Sequence, residues 1–350
     1  MSGERGILAD VSTRLLTDLV TPELIAAAER GEWPGALWSA VEENGLALPL
    51  VPEPKGGAGM TWSDAFVLVN AAGRHAAPIP LAETIVASWL LAEAGIDVPE
   101  GPLTIAPGGD DEALALARAG DSCRVSGTAR RVPWGASAGH VVVVGDAAGT
   151  TMVALVARGA ARAAPEANLA REPRDTLTFD GTAAVAAAPV ARPVDAVRVY
   201  GALVRTAQMA GALEGLLSLS VKYVTERKQF GRPIGAFQAI QHQLAVLAGH
   251  TAAAGLAADH AFRAADRHDP RFDVAAAKTR IGEAAGVGTG IAHQVHGAIG
   301  FTYEHSLQFL TRRLWSWRAE FGAEAWWAAR LGSEVAAHGA AGLWPWVTTR

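Results

Sequence analysis

The hydrophobic period of the chain changes twice, and this change constrains the fold more than any other feature. Apolar residues recur at helical spacing over residues 8–98, break into short runs between Gly, Asp and Pro over 101–193, and return to helical spacing from residue 195 onward. A period near 3.6 predicts amphipathic helices, whereas short apolar runs bounded by turn residues predict strands. We therefore expect a mainly α protein with a central β domain: an N-terminal helical domain over 1–100, an antiparallel β domain over 101–193, and a C-terminal four-helix bundle over 194–350.

Several element boundaries can be predicted within these zones. Ser63 can cap a helix that runs to about His75. The β-branched run over 141–144 predicts the clearest strand of the β domain. Three helical segments joined by short connections with Gly and Pro, followed by a fourth segment rich in tryptophan, predict the bundle. Their ranges are 195–226, 236–266, 272–297 and 304–338.

Composition and charge exclude several classes of function. The 350 residues are 50% hydrophobic and 19% charged, which is typical of a soluble globular protein. The net charge is −5 and no basic stripe is present, so nucleic acid is not an expected partner. No apolar stretch is long enough to predict a membrane span. The N-terminus lacks a signal-peptide pattern and Cys123 is the single cysteine, which together favour a reducing, cytoplasmic location.

Two motifs carry the residue types that a phosphate-containing cofactor needs. Residues 226–242 read ERKQFGRPIGAFQAIQH and join two helical segments, and residues 294–301 read QVHGAIGF. The arginine fork matches phosphate oxygens, aromatic rings offer apolar walls, amides offer hydrogen bonds, and glycine allows close approach of the backbone. The candidate cofactor-binding residues are Arg227, Gln229, Phe230, Phe237, Gln238, Gln294 and Gly297. Taken singly, the arginine could instead end a helix by pairing with its carbonyls, and the Phe residues could belong to the core.

In this order and spacing, the two motifs resemble the flavin-binding signature of the acyl-CoA dehydrogenase family. The order of helical, β and helical zones resembles the same family over nearly the whole chain. The resemblance implies FAD-dependent α,β-desaturation of an acyl-CoA thioester, with electrons passed to an electron-transfer acceptor. It also implies that the candidate residues bind the adenylate half of a flavin whose isoalloxazine ring lies in a neighbouring subunit.

The part of the site that would hold the flavin ring departs from the family pattern. Where the family has an aromatic residue followed by Thr-Glu-Pro, residues 103–108 read LTIAPG, which keeps a Thr and a Pro in a loose match. Where the family has a stacking Trp followed by Ile-Thr, this chain has Arg131, and Trp134 lies three positions further on. The resemblance therefore implies an altered ring-binding half.

The catalytic base is a second departure. The reaction needs a carboxylate, poised in an apolar cleft, that removes the α-proton of the substrate. The commonest family position for this base aligns with Phe321, and Glu320 precedes it by one residue, which is a rotation of about 100° on a helix. Two other family positions fall near Gly201 and Ala252, where the chain has no acid. Glu320 is thus the candidate catalytic residue, and the alternative is a solvated or salt-bridged helix carboxylate beside Arg318.

The resemblance leaves two assemblies open. Family members form homo-oligomers, whereas a shorter bacterial subset pairs two unlike chains in a heterotetramer of paralogues. This chain is short, keeps the adenylate half, alters the ring half and lacks a clear base. It resembles one partner of such a pair, either as an enzyme active with its partner or as a non-catalytic subunit that supplies adenylate-side contacts in trans.

Three other motifs have weaker interpretations. Residues 135–139 match the nucleophile-elbow pattern, but a proline precedes them and a β run follows, so we expect a turn and no hydrolase. The glycines over 286–290 lie inside a helical pattern, which indicates close helix packing and no phosphate loop. His293 and His296 are spaced to share a helix face, and buried histidines are expected there in preference to a metal site.

Overall fold

The computed structural model describes residues 3–108, 114–119 and 122–349. Within these ranges the chain forms helices, then strands, then helices, in the predicted order. The helices are α1 (Gly3–Leu19), α2 (Pro22–Ala28), α3 (Gly35–Glu43), α4 (Trp62–Arg74), α5 (Leu81–Glu93), α6 (Ala196–Glu226), α7 (Gln238–Ala265), α8 (Arg271–His296), α9 (Leu307–Ala319) and α10 (Glu324–Thr348). The strands are β1 (Leu103–Ile105), β2 (Ala115–Ala119), β3 (Ser122–Pro133), β4 (His140–Ala147), β5 (Thr150–Ala157), β6 (Arg162–Ala164), β7 (Arg174–Ala183), β8 (Ala186–Pro189), β9 (Lys228–Gln229) and β10 (Arg232–Pro233).

Helix α4 begins two residues earlier than the sequence suggests. The Thr61 hydroxyl accepts a hydrogen bond from the Asp64 backbone N–H, and the Asp64 carboxylate accepts one from the Thr61 backbone N–H. This reciprocal pair is a capping box, which satisfies two donors that the first turn leaves open. The prediction that Ser63 caps α4 is therefore wrong, because Ser63 lies in the first turn and hydrogen-bonds to Asp266 instead.

The β region consists of two four-stranded sheets. The strand orders are β1-β4-β5-β8 and β2-β3-β7-β6. Five of the six strand pairs in these sheets are antiparallel. The sixth, β1 with β4, is parallel, with Leu103 opposite His140. The prediction of antiparallel pairing is thus wrong for β1. Strands β2 and β3 of the other sheet come between β1 and β4 in the chain, so the two are not joined by a hairpin.

Helix α6 is the centre of the C-terminal bundle and also contacts the N-terminal helices. Its residues are buried almost continuously from Ala196 to Leu216. A Cβ on Gly211 would lie 1.9 Å from the Asn70 carbonyl oxygen, and a Cβ on Gly73 would lie 2.1 Å from the Gln208 carbonyl oxygen. The two glycines therefore let α4 and α6 cross in backbone contact, which no side chain larger than hydrogen would allow.

The predicted fourth helix over 304–338 is two helices. Helix α9 ends at Ala319 and α10 begins at Glu324. Phe321 and Gly322, between them, have φ angles of 53° and 100°. Left-handed backbone ends an α-helix, and glycine adopts it at low cost. The chain therefore turns at Glu320, the candidate catalytic residue.

Two of the weaker motifs, residues 135–139 and the glycines over 286–290, have the structures that the sequence predicts. Residues 135–139 lie in the connection between β3 and β4, with no helix after them. A Cβ on Gly288 would lie 2.9 Å from Leu213, so this glycine lets α8 pack closely on α6. Among the described residues, no group of His, Cys, Asp or Glu is arranged to hold a metal ion. Within the same residues, no helix is long and apolar enough to cross a membrane.

Candidate active site

A cavity of about 600 Å³ lies between the β region and the turn that joins α9 to α10. One wall comes from loops and strand ends of the β region, and the opposite wall comes from α9, the turn and the start of α10. The volume is in the range of small-molecule sites. The residues that line it are Pro107, Gly108, Arg130, Arg131, Pro133, Glu166, Ala167, Asn168, Leu169, Arg174, Arg198, Trp315, Ser316, Ala319, Glu320, Phe321, Gly322, Ala323 and Trp326.

Glu320 lines this cavity but is held by two arginines. Its carboxylate accepts hydrogen bonds from Arg174 Nε at 2.7 Å, Arg174 Nη2 at 3.1 Å, Arg205 Nε at 2.7 Å and the Asn168 amide at 3.1 Å. Burial alone would raise the pKa of Glu320, but Arg174 and Arg205 outweigh burial and lower the pKa to about 2. A carboxylate with so low a pKa is a weak proton acceptor near neutral pH. These contacts suit a structural ion pair better than a general base.

The expected alternative partner of Glu320 is also different from the one observed. Arg318 pairs with Glu324, its Nε donating to Oε1 at 2.8 Å, and not with Glu320. The charged partners of Glu320, Arg174 and Arg205, lie far away in sequence, on β7 and α6. The turn after α9 points the carboxylate back into the molecule, because its backbone leaves the helix at Glu320.

The two arginines extend the ion pair into a buried network. Arg205, which is 1% exposed, also pairs with Glu83 of α5, and Arg174 also pairs with Glu172 at 2.9 Å. Glu172 also forms an ion pair with Arg313 of α9, whose Nε lies 3.1 Å from a Glu172 carboxylate oxygen. The network therefore connects the N-terminal helices, the β region and the bundle, and each buried charge has an opposite charge beside it.

Lys278 of α8 holds the same turn from the other side. Its ammonium donates to the carbonyl oxygens of Trp317, Arg318 and Glu320 at 3.1, 3.1 and 3.0 Å. Lys278 is 1% exposed, and burial, only partly opposed by the charge of Glu320, lowers its pKa to about 7. A buried cation at the C-terminus of α9 satisfies carbonyls that the helix leaves open.

The aligned base position, Phe321, contacts the second base position, Gly201. A Cβ on Gly201 would come within 2.5 Å of the Phe321 ring. The ring is 9% exposed and lies 5.5 Å from the Arg205 guanidinium. An aromatic ring against a glycine thus occupies the space in which the family pattern would place a carboxylate.

The β wall of the cavity does not fit a flavin ring in the manner of the family pattern. Arg131, at the position of the stacking Trp, has a φ of 54° and lies where the pairing of β3 with β7 shifts register between Ala129 and Val132. Pro133, two residues on, has no backbone N–H to offer, and its carbonyl accepts a hydrogen bond from the Thr104 hydroxyl. Thr104 is fully buried, and its hydroxyl is already engaged by the Pro133 carbonyl.

The predicted adenylate residues are gathered at one end of the bundle. Strands β9 and β10 form a two-residue hairpin after α6, with Phe230 and Gly231 at its tip, where both have positive φ. Phe230 is 92% exposed. The exposed members are Arg227, Gln229, Phe230, Gln238, Gln294 and Gly297, whereas Phe237 is half-buried.

The ends of α6 and α8 are held together by stacked rings. Tyr223 of α6 stacks on His296 of α8 with ring centroids 4.5 Å apart, and His305 packs edge-on to His296 at 4.7 Å. Gly297, next to His296, has a φ of 64° and open space where a Cβ would stand. This packing leaves Arg227, Gln294 and Gly297 exposed at the surface.

Comparison with known proteins identifies the family. The model for the acyl-CoA dehydrogenase N-terminal domain matches residues 3–97, and the model for the acyl-CoA dehydrogenase C-terminal domain matches residues 199–332. The acyl-CoA dehydrogenase IpdE2 of Mycobacterium tuberculosis is 30% identical over 315 residues, which are 89% of this chain and 90% of that protein. The chain belongs to the acyl-CoA dehydrogenase family. This confirms the predicted fold class and the predicted class of enzyme.

Solved structures of the acyl-CoA dehydrogenase fold superpose closely on this chain. The Tcur3481–Tcur3483 steroid acyl-CoA dehydrogenase, a G363A variant, is 26% identical with a TM-score of 0.87, covering 95% of this chain and 98% of that one. The ChsE4–ChsE5 complex of Mycobacterium tuberculosis is 24% identical with a TM-score of 0.88, covering 96% and 98%. FAD is present in another structure of this fold, PigA with FAD and proline, which is 15% identical and covers 97% of this chain and 99% of that one, with a TM-score of 0.82. Membership of the family, which the two family models show, confirms the expectation of FAD.

The ion-pair network is the part of the site that sequence reasoning missed. Arg174, Arg205 and Lys278 were not candidates, although Arg205 and Lys278 lie in helical segments that are otherwise strongly apolar. A charged residue on the apolar face of a predicted helix is a signal for a buried ion pair. That signal could have indicated that Arg205 of α6 and Lys278 of α8 are buried and paired. It could not have indicated that both contact Glu320.

Proposed function

We propose that this chain is one subunit of a heteromeric FAD-dependent acyl-CoA dehydrogenase that desaturates the α,β-bond of an acyl-CoA thioester. In this assembly the chain supplies adenylate-side contacts in trans to a flavin whose ring lies in a paralogous subunit. The observation that carries the proposal is the contrast between its two half-sites. The exposed adenylate residues match the family motif, whereas the ring-side cavity has lost the motif and offers a poor base.

The adenylate side has the chemistry that a dinucleotide requires. Arg227 ends α6, and its guanidinium is available for the bidentate contact that phosphate oxygens favour. The Gln294 amide can hydrogen-bond, and the open space at Gly297 lets a ligand approach the backbone. Since these groups are exposed on the isolated chain, a ligand bound only by them would remain half in solvent. A second subunit that covers this end would complete the site.

The ring side lacks the group that must take the α-proton. Bound FAD would accept the hydride from the β-carbon, and the protein has to supply a carboxylate that accepts the proton from the α-carbon. In the described lining, Glu320 is paired with two arginines, and Glu166 accepts a 2.7 Å hydrogen bond from the Thr176 hydroxyl. Neither carboxylate lies free in an apolar cleft. The base in our proposal therefore belongs to the paralogous subunit.

The relatives support an assembly of unlike chains and suggest a substrate to test first. ChsE4 and ChsE5 were solved as a complex of two proteins, and the Tcur3481–Tcur3483 pair is a steroid acyl-CoA dehydrogenase. We accordingly propose a steroid-derived acyl-CoA as the first substrate to assay, an electron-transfer flavoprotein as the acceptor, and the cytoplasm as the location.

The test compares the chain expressed alone with the chain co-expressed with paralogous acyl-CoA dehydrogenases of its own genome. Mass in solution and flavin absorbance are measured on each sample. We expect little flavin in the chain alone, and one flavin for each pair of unlike chains in the complex. A yellow homo-oligomer of this chain that turns over acyl-CoA by itself would overturn the proposal, as would one flavin for every chain of the complex.

A further inference from the structure

The ring-side cavity remains a well-formed pocket even though its walls depart from the flavin pattern. Its apolar lining includes Leu169, Trp315, Phe321 and Trp326, on the side formed by the bundle and the loop before β7. Trp326 is flanked by the guanidinium groups of Arg198 at 4.9 Å and Arg330 at 4.1 Å, and Trp315 lies 5.0 Å from that of Arg318. Aromatic rings held in this way form a rigid wall that can bury the apolar body of a ligand.

Arg131 lies on the opposite side, exposed at the rim of the cavity. In the part of the chain that the structure describes, no hydrogen bond or ion pair joins its guanidinium to another residue, whereas the lining acids Glu166 and Glu320 have donors of their own. The guanidinium is planar, always charged, and matches a carboxylate in a bidentate contact. Arg131 therefore offers a ligand in the cavity a positive charge that no carboxylate of the described residues pairs with.

The backbone presents Arg131 to the cavity in a strained way. Arg131 adopts a φ of 54°, and it lies at an irregularity in the pairing of β3 with β7. A bulge re-aims a side chain, and such bulges are frequent beside binding sites. Among the described residues that line the cavity, one other non-glycine residue has a positive φ. It is Phe321, across the cavity, with a φ of 53°. Strain of this kind clusters at ligand sites.

We infer that the cavity is a redox-silent binding site for an amphipathic carboxylate, with the carboxylate on Arg131 and the apolar body against Trp315, Trp326 and Phe321. This inference rests on the proposed function in one respect, since it requires that no flavin ring of the assembly occupies this cavity. It goes beyond that proposal because it gives this chain a ligand of its own, distinct from the flavin.

The experiment titrates the full chain, alone and in its complex, with 1-pyrenebutyrate. Energy transfer from the cavity tryptophans to pyrene reports binding. 1-Pyrenebutanol, which has the same body without the charge, is the matched ligand. Arg131→Gln is the test variant, and Arg124→Gln on the same strand is the control, because Arg124 is exposed and donates to the Gly181 carbonyl away from the cavity.

We expect the carboxylate to bind at least about tenfold more tightly than the alcohol, and Arg131→Gln to remove that preference while Arg124→Gln keeps it. Equal affinity of the two ligands on the wild-type chain would overturn the inference, even if the variant failed to fold. An unchanged preference in Arg131→Gln would also overturn it, as would stoichiometric displacement of the probe by FAD. Probe binding that persists while the complex contains no flavin would support the inference and count against the proposed function alone.

Discussion

The ring of Phe321 lies directly against the backbone of Gly201, so closely that a Cβ on Gly201 would stand 2.5 Å from Phe321 Cδ1. The two residues come from different elements, the α9–α10 turn and α6, and both are positions where a base was sought. Because the ring fills the space above the glycine, a carboxylate at position 201 would collide with Phe321, and position 321 itself carries the ring. The contact is therefore a structural reason to expect the base in another chain.

Gly201→Ala should destabilise the protein by forcing the Phe321 ring to move. Overpacking of this kind costs roughly 1–3 kcal/mol, measured as the free energy of unfolding in urea. Gly249→Ala on α7 is the control, since nothing lies within 4 Å of the place its Cβ would take and alanine favours a helix. Adding Phe321→Ala to Gly201→Ala should show strong coupling in a double-mutant cycle. Additive effects would mean that the two residues do not constrain each other.

Glu320→Gln should affect stability and not chemistry. Removing the charge leaves Arg174 and Arg205 buried with one fewer anion, which we expect to lower the free energy of unfolding by about 3 kcal/mol at neutral pH. Turnover per flavin of the assembled complex should stay within about twofold. Glu324→Gln, at the partly exposed pair with Arg318, is the control and should cost less than about 1 kcal/mol. A loss of turnover with unchanged stability would make Glu320 the base.

Lys278 should make stability depend on pH in the alkaline range. Its folded-state pKa of about 7 is below the ordinary 10.5, so between these values the unfolded chain holds a proton that the folded chain has lost. The free energy of unfolding should therefore rise with pH from about 7 towards 10.5 by this contribution. The measurement is urea unfolding at a series of pH values for wild type and Lys278→Met, with Lys222→Met, on the exposed face of α6, as the control. A wild-type slope equal to that of Lys278→Met would contradict the prediction.

Arg227→Ala should weaken flavin retention by the complex while leaving its assembly intact. The substitution removes the charge-assisted contact that we assign to the pyrophosphate, so the apparent Kd for FAD should rise at least about tenfold. The readout is flavin titration of the deflavinated complex, accompanied by its mass in solution. Arg267→Ala, an exposed arginine after α7, is the control. Unchanged flavin affinity in Arg227→Ala would remove the pyrophosphate role.

Local sequence patterns predicted the features that depend on residues close together in the chain. The helical period located α6, α7 and α8 within a few residues, and the motif around Arg227 was visible because its residues are adjacent along the chain. Glu320 shows the limit, since its partners Arg174 and Arg205 lie 146 and 115 residues away. The hydrophobic period of a helix or strand carries no information about a pairing over such a separation in sequence. The break before α10 was missed for a related reason: the tryptophans on either side keep a helical spacing through a turn that Phe321 and Gly322 form.

In the proposed assembly, the exposed positions of Arg227 and Gln294 would separate the place of a mutation from the place of its effect. A defect at either position would leave this polypeptide folded, yet the neighbouring polypeptide would lose its colour and its turnover. A genetic screen would map the lesion to one gene, and an assay would find the deficiency in the product of another. Both genes would then have to be expressed in matching amounts, because each encodes half of one flavin site.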